Sequence, residues 1–324
     1  MGNHSILIMK KGLITILTLC LVWTTTLAQQ SSQYTNFIKN YIAFNPAAVG
    51  SVKCIELNFG HREQWRGIDG APVSSFANFQ GKIGVNKFNF HGLGAVVETD
   101  DTGPLSHTSL SLAYSYHMRT SRKGMLAMGM SLGFTQYRID YGAMTFVDYN
   151  DPAIIGAGSQ LMFPQLNMGL WYYKADRFIG FSVRNMARNE IVIPFDEENG
   201  DPGQSYFQRH WEVTVGKHAK LSDDFTFKPA MQIKYVKGSK PALDGQAMLD
   251  FRRKLALGVG ARSGNGLSAL MEVELFRYVS LAYAYDMTLS RLSVEGRHSH
   301  EVIIGVRACA KGSDRFKIPC AAYN

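Results

Sequence analysis

Beyond its first 28 residues the sequence holds no apolar run of the roughly 20 residues that a membrane-spanning helix needs. That excludes a helical membrane protein, but not one whose spans are strands. Apolar residues at helical spacing are also scarce throughout. The four cysteines, Cys20, Cys54, Cys309 and Cys320, form no CxxC pair and no His/Cys cluster with zinc spacing. Three of them lie beyond residue 28, an odd number, so there is no disulfide framework; Cys309 and Cys320 remain as a pair able to bridge in an oxidising compartment. No HExxH pair or Walker loop is present. Lys and Arg outnumber Asp and Glu by 34 to 26, yet they form no long basic block or one-sided stripe. Nucleic acid is therefore not an expected partner, and neither a cofactor nor a metal is expected. A mild positive charge suits an anionic lipid or polysaccharide surface better.

The N-terminus places the chain outside the cytoplasm. Met9-Lys10-Lys11 precedes the apolar run Leu13 to Val22, and Thr26-Leu27-Ala28 follows before Gln29. A basic start, a short hydrophobic stretch and a small-x-small site make residues 1–28 a signal peptide cleaved after Ala28, with Met9 as an alternative initiator. Cleavage removes Lys10, Lys11 and no acid, so the net charge of +8 falls to +6.

What the remaining chain has in plenty is alternation at period two, interrupted by Gly, Asp, Asn and Ser. Leu110, Leu112, Tyr114, Tyr116 and Met118 share one face of a strand, and Ser109, Ser111, Ala113, Ser115 and His117 the other. Leu126 to Phe134 and Val279 to Tyr285 split in the same way. The second face carries Gly, Ala and Ser where a soluble sandwich would carry charge. Apolar residues alternating with small or polar ones are the signature of an outer-membrane barrel. The pattern predicts an all-β fold, a transmembrane antiparallel β-barrel of about 14 strands over residues 52–308. A short periplasmic N-terminal segment, 29–51, precedes it and an extension, 309–324, follows.

Loop lengths supply an independent check. Connections after even-numbered strands are mostly short, as at Ala175-Asp176 and Arg252 to Lys254; Ile83 to Phe90 is of middling length, and Gly238 to Lys240 and Ser263 to Asn265, after odd-numbered strands, are short too. The long ones, Ile139 to Leu161, Ala187 to Phe207 and Met287 to Arg297, all follow odd-numbered strands. Bacterial barrels have short periplasmic turns and long extracellular loops, so both chain ends are expected in the periplasm. Tyr114, Tyr116, Trp171 to Tyr173, Tyr283 and Tyr285 lie toward strand ends, where interfacial aromatic girdles sit.

Candidate chemistry is sparse. Gly258-Val259-Gly260 reads as a small-residue lumen face and not as a phosphate loop. His298 and His300 share a strand face beside Glu301, a pattern that more often marks a polar face than a metal site. Asp148, Asp151, Asp196, Glu197, Glu198 and Asp201 lack the EF-hand ligand order and read as solvated loop acids. Ser106-His107 is the nearest thing to a lipid-enzyme pair, with no motif to single it out.

Two stretches depart from generic barrel sequence. Asn45-Pro46-Ala47-Ala48-Val49-Gly50 follows the aromatic, nearly uncharged run Tyr34 to Phe44. It either plugs or lines the periplasmic mouth or forms a loosely held linker. His61-Arg62-Glu63-Gln64-Trp65-Arg66-Gly67 runs into Ile68-Asp69-Gly70-Ala71-Pro72. Its Arg and Trp are either binding hot spots or a lumen charge and an interfacial anchor.

On these residues the sequence resembles the PorP/SprF family of outer-membrane proteins from Bacteroidota, which belong to the type IX secretion and gliding machinery. The likeness is carried by Phe44-Asn45-Pro46-Ala47 with Gly50, by His61-Arg62 with Gln64-Trp65, and by Gly67 with Asp69-Gly70-Ala71-Pro72. Thr102-Gly103-Pro104, Asp151-Pro152-Ala153, Leu221-Ser222-Asp223, Lys228-Pro229, Ile233 to Gly238, Ala282 to Asp286 and His300-Glu301 continue it in order along the chain. Lys311 to Asn324, with Cys320, extends past the usual family end, and Asp196 to Phe207 looks individual. The resemblance implies a non-enzymatic component that binds secretion components or a secreted cell-surface adhesin. Asn45, Pro46, Ala47, Gly50, Arg62, Gln64, Trp65, Gly67, Gly70 and Pro72 become the candidate partner contacts. The alternative is a passive porin or small-molecule transporter, for which the lumen should be open.

Overall fold

A computed structural model describes residues 33–52, 54–84, 89–144, 160–187, 189–192, 204–264, 266–276, 278–288 and 298–309. The expected signal peptide, the loop acids Asp148, Asp151, Asp196, Glu197, Glu198 and Asp201, and the extension from residue 310 lie outside the described residues.

Alternating sequence becomes one antiparallel sheet closed on itself. Its strands are β1 (Ile55–Glu63), β2 (Val73–Ile83), β3 (Phe90–Thr102), β4 (Leu105–Arg119), β5 (Met125–Ile139), β6 (Gln160–Tyr173) and β7 (Arg177–Arg184). They continue as β8 (His210–Lys217), β9 (Phe225–Val236), β10 (Ala242–Phe251), β11 (Leu255–Arg262), β12 (Gly266–Phe276), β13 (Val279–Thr288) and β14 (Ser299–Ala308). A small hairpin, Glu190–Val192 with Gln204–Tyr206, rides on the β7–β8 loop. Each barrel strand pairs with its sequence neighbours, and β14 returns to β1 in the register Ile55↔Ala308 to Glu63↔His300. The count of fourteen matches the sequence expectation, and the strands run from Ile55 to Ala308 within the expected 52–308.

Period two sorts the side chains between lipid and lumen. Leu112 is 65% exposed and Phe134 59%, values that make sense only for groups meant to meet hydrocarbon. Their strand neighbours Ala113 and Ser131 are buried on the inner face. Val259 likewise points out between Gly258 and Gly260. One part of the aromatic expectation is corrected. Trp171 and Tyr173 are fully buried in the lumen, because β6 carries its odd-numbered residues inward, alongside Asn167.

The cysteine expectation is corrected too. Cys309 is bonded to Cys54, with Cα atoms 4.6 Å apart, and not to Cys320. The two residues flank the closing seam: Cys54 precedes β1, Cys309 follows β14, and Ile55 pairs with Ala308. Pairing of 255-residue-distant cysteines is thus a consequence of barrel closure. Alkylation of the unreduced mature protein is expected to label Cys320 alone, with Cys54 and Cys309 labelled only after reduction. Labelling of two or three thiols before reduction would contradict the seam disulfide.

A fourteen-stranded barrel is too wide for its own side chains to fill: about eight strands give a packed interior and sixteen to eighteen an aqueous channel. Here the interior is filled by the chain itself. Residues 34–50 turn through three short helical segments, Phe37–Lys39, Tyr41–Phe44 and Pro46–Ala48, all inside the lumen. Tyr34, Tyr41, Ala47, Ala48 and Val49 are at most 1% exposed. Of the two readings of this segment, the linker is incompatible with such burial.

Candidate functional site: the lumen plug and its rim

The plug is held at three levels. At the long-loop end Arg62 of β1 points inward and is 3% exposed. Its guanidinium donates to Thr35 Oγ1, pairs with Asp286 of β13 at 2.6 Å and lies 3.5 Å from Glu301 of β14. Glu301 in turn accepts the backbone amides of Thr35 (2.6 Å) and Asn36 (2.9 Å), and Thr35 Oγ1 donates to Asp286. Arg262 of β11 donates to the Tyr34 carbonyl at 2.9 Å. Backbone groups of Tyr34, Thr35 and Asn36, which the segment's own short turns leave unpaired, are thus satisfied by the barrel wall.

At mid-height the contacts divide by chemistry. Toward β6 and β7, Tyr41 stacks on Trp171 (5.1 Å between centroids, 8° between planes), which stacks on Phe178. Asn45 Nδ2 donates to the carbonyls of Leu170 and Phe181, while Asn45 Oδ1 accepts from the Ala47 amide and starts the Pro46–Ala48 turn. Toward β9 to β12 the wall is charged: Lys39 pairs with Glu272, and Asp244 bridges Lys234 and Arg262 at 2.8 Å each. Arg184 and Lys234 sit over the Phe44 ring at 5.1 and 5.4 Å, so that plug aromatic faces cations that are themselves paired to Glu212 and Asp244.

At the short-turn end Ser115 and His117 both donate to the Val49 carbonyl, at 2.6 and 2.7 Å. The Gly50 amide donates to Gln80, whose own amide reaches Glu56. Gly50 has φ +76°, and a Cβ there would lie 2.6 Å from the Gly92 backbone, so both positions require glycine. Gly129 is the matching case under the helical turn, where a Cβ would meet Ala47 backbone atoms at 2.5 Å. Gly129→Ala is expected to lift the plug, at about 1–3 kcal/mol. Trypsin cleavage after Lys39 in the folded protein measures it: faster cutting than wild type is the expected result, and an unchanged rate would sink it.

The candidate residues from the sequence therefore separate into two groups. Asn45, Pro46, Ala47, Gly50 and Arg62 are buried between plug and wall. Gln64, Trp65, Gly67, Gly70 and Pro72 form the β1–β2 loop on the rim. Trp65, at φ +49°, and Gln64 line a cavity of about 30 Å³ above Thr35 and Phe37, so Trp65 roofs the plug. The loop is tied to its neighbours by Arg66 N–H to His298 O and Gly103 N–H to Gly70 O. Sequence reasoning missed Lys39, Asp286 and Glu272 as plug anchors. Their signal is charge on the inward parity of a strand or within an otherwise uncharged segment.

Other candidate chemistry comes apart. Ser106 and His107 are consecutive on β4 and therefore face opposite sides of the sheet. His300 meets the Tyr283 hydroxyl at 2.7 Å on the outer face, while Glu301 points into the lumen. Among the described residues no three His, Cys, Asp or Glu side chains are grouped to hold a metal.

A family model described as "Type IX secretion system membrane protein PorP/SprF" matches residues 26–306. The chain belongs to this family. No curated protein matches it. Among solved structures, the CymD monoaromatic hydrocarbon channel shares 10% identity over 86% of this chain and 94% of its own, with a TM-score of 0.50. A FadL homologue of Pseudomonas aeruginosa shares 10% identity over 82% of this chain and 92% of its own at 0.47. Acinetobacter baumannii Omp33 shares 7% over 79% of this chain and 98% of its own at 0.46. At 10% identity the likeness to CymD shows the fold alone. PorP/SprF membership and the barrel together make the protein an outer-membrane component of type IX secretion.

Proposed function

We propose that this PorP/SprF barrel is a closed, non-enzymatic docking platform that binds other secretion components or a secreted surface adhesin, and not a porin. The observation that carries the reading is the plug: residues 34–50 are built into the lumen by Arg62, Glu301, Lys39, Glu272 and Asn45. A conducting barrel would leave that space to water. The expected signal peptide and the division into short turns and long loops support an orientation with the short turns in the periplasm. Both chain ends of the barrel, at Cys54 and Cys309, then face the periplasm, and the rim loop with Trp65, Gly67, Gly70 and Pro72 faces outward. Rim residues and the short-turn face are the surfaces free to dock, whereas Asn45, Pro46, Ala47, Gly50 and Arg62 act by shaping the plug.

A mild-detergent pull-down of the tagged protein from its native outer membrane, under crosslinking, tests the reading. Periplasm-facing secretion components or a large surface adhesin are the expected co-purifying proteins. Repeated recovery of the barrel alone would reject the docking role.

A further inference from the structure

The plug packs on the aromatic half of the wall and leaves the charged half uncovered at the short-turn end. There a cavity of about 290 Å³ opens between plug residues 36–39, the foot of β1 and the inner faces of β9 to β12. Three of its cations are already matched: Lys39 by Glu272, Lys228 by Asp250, and Arg307 by Glu274. Two more at its lip, Arg253 and Lys254, are exposed and have no side-chain partner among the described residues.

The backbone that presents them is unusual. Arg252 and Arg253 have φ of +52° and +57°, and the Lys254 amide donates to the Phe251 carbonyl at 3.0 Å. That is a tight β10–β11 hairpin turn of the type normally built from Asn-Gly, since both central residues are left-handed. Two arginines in these positions are strained, and observed strain points to a use for the side chains. Arg252 is accounted for by Asp224, with contacts of 2.7 and 3.2 Å. Arg253 is not, although its backbone is locked: Asp250 Oδ1 accepts its amide at 2.8 Å while Oδ2 holds Lys228. Pro229, Ala230 and Met248 give the cavity an apolar side. His218, also on the wall, is pushed down to about 3 by burial and stays neutral, so the free positive charge at the lip is that of Arg253 and Lys254.

We propose that this cavity binds a carboxylate-rich peptide segment of a periplasmic protein, with Arg253 and Lys254 as its charge contacts. The barrel wall separates the cavity from lipid headgroups, and its apolar side suits a peptide chain more than a bare anion. The choice of a secretion component as owner of the peptide rests on the function proposed above; the binding chemistry does not.

The test uses the intact protein in detergent with fluorescein-labelled hexaglutamate, hexalysine as control and inorganic phosphate as competitor. The variant is Arg253→Gly with Lys254→Gln, in which glycine suits the left-handed turn and the barrel stays folded. Wild type is expected to bind hexaglutamate and not hexalysine, with affinity falling as salt rises and about tenfold weaker in the variant. Equal affinity in the two proteins, or no hexaglutamate binding, overturns the proposal. Displacement by millimolar phosphate overturns its peptide part and leaves a simple anion site. Native pull-downs of both proteins separate the two readings. Components lost only from the variant support the cavity as the docking point, whereas components retained in full by the variant place docking elsewhere. Absence from both proteins rejects the docking function, and the hexaglutamate titration then decides the cavity by itself.

Discussion

Deleting residues 34–50 is expected to turn a closed barrel into an open one, raising its conductance in planar bilayers by an order of magnitude or more. The argument is geometric. Fourteen strands enclose more space than their inward side chains occupy, and several glycines of the inner face make room for the plug. Gly92, Gly129, Gly169 and Gly180 each leave room that a Cβ would take from Val49, Ala47, Asn45 or Trp171. Without the plug these positions border water, and the paired charges of β9 to β11 line an aqueous path. Keeping Ser51 to Cys54 preserves the seam disulfide and the start of β1. Equal conductance of the deletion and the intact protein would mean that the plug is not what closes the lumen.

Arg62→Ala carries the largest expected loss of stability. Removal of the guanidinium leaves Glu301, 1% exposed, and Asp286, on the adjoining strand, without their shared cation. Breaking a buried ion pair by deleting one partner costs about 3–5 kcal/mol, far more than the pair itself contributes. The loss should appear as a lower denaturation midpoint in detergent. Arg62→Lys recovers part of it, because a point charge replaces a fork that reaches Thr35, Asp286 and Glu301 together. A change below about 1 kcal/mol for Arg62→Ala would show that the network is solvated and that the plug is held elsewhere.

The strands are legible in the sequence because half of every strand must face lipid. Leu110, Leu112 and Phe134 on one parity and Ser109, Ser111 and Ser131 on the other repeat a signal that no helix or soluble sheet produces. Loop lengths separate a short-turn end from a long-loop end, from connections such as 174–176 and 185–209. The plug is only half legible. Its aromatic content marks Tyr34 to Phe44 as unusual, but three helical segments of three or four residues have no period to read. Trp171 is harder to read: it shares the inward parity of β6 with Asn167 and Gly169, but its neighbours Leu170 and Tyr172 are large as well, so the contrast between the two faces fades at that end of the strand. Cys54 and Cys309 illustrate the same limit. Their pairing follows from the closure of β1 on β14, a contact between the two ends of the barrel that local sequence does not encode.

The Arg62 and Asn45 stretches stand out by composition alone, and the geometry gives them a physical meaning. Asn45 bridges β6 and β7 carbonyls, Gly50 fits against Gly92, and Arg62 fastens the far end of the same segment. Residues that look like a binding motif thus seat the plug in the barrel.

Hydrogen exchange on the intact protein in its membrane or in mild detergent reports on the seated plug without altering a residue. The amides of Thr35, Asn36, Ala47 and Gly50, bonded to Glu301, to Asn45 and to Gln80, are predicted to exchange as slowly as those of the barrel strands. Exchange over residues 34–50 at the rate of an unstructured segment, beside protected strands, would mean that the lumen is not closed by this segment.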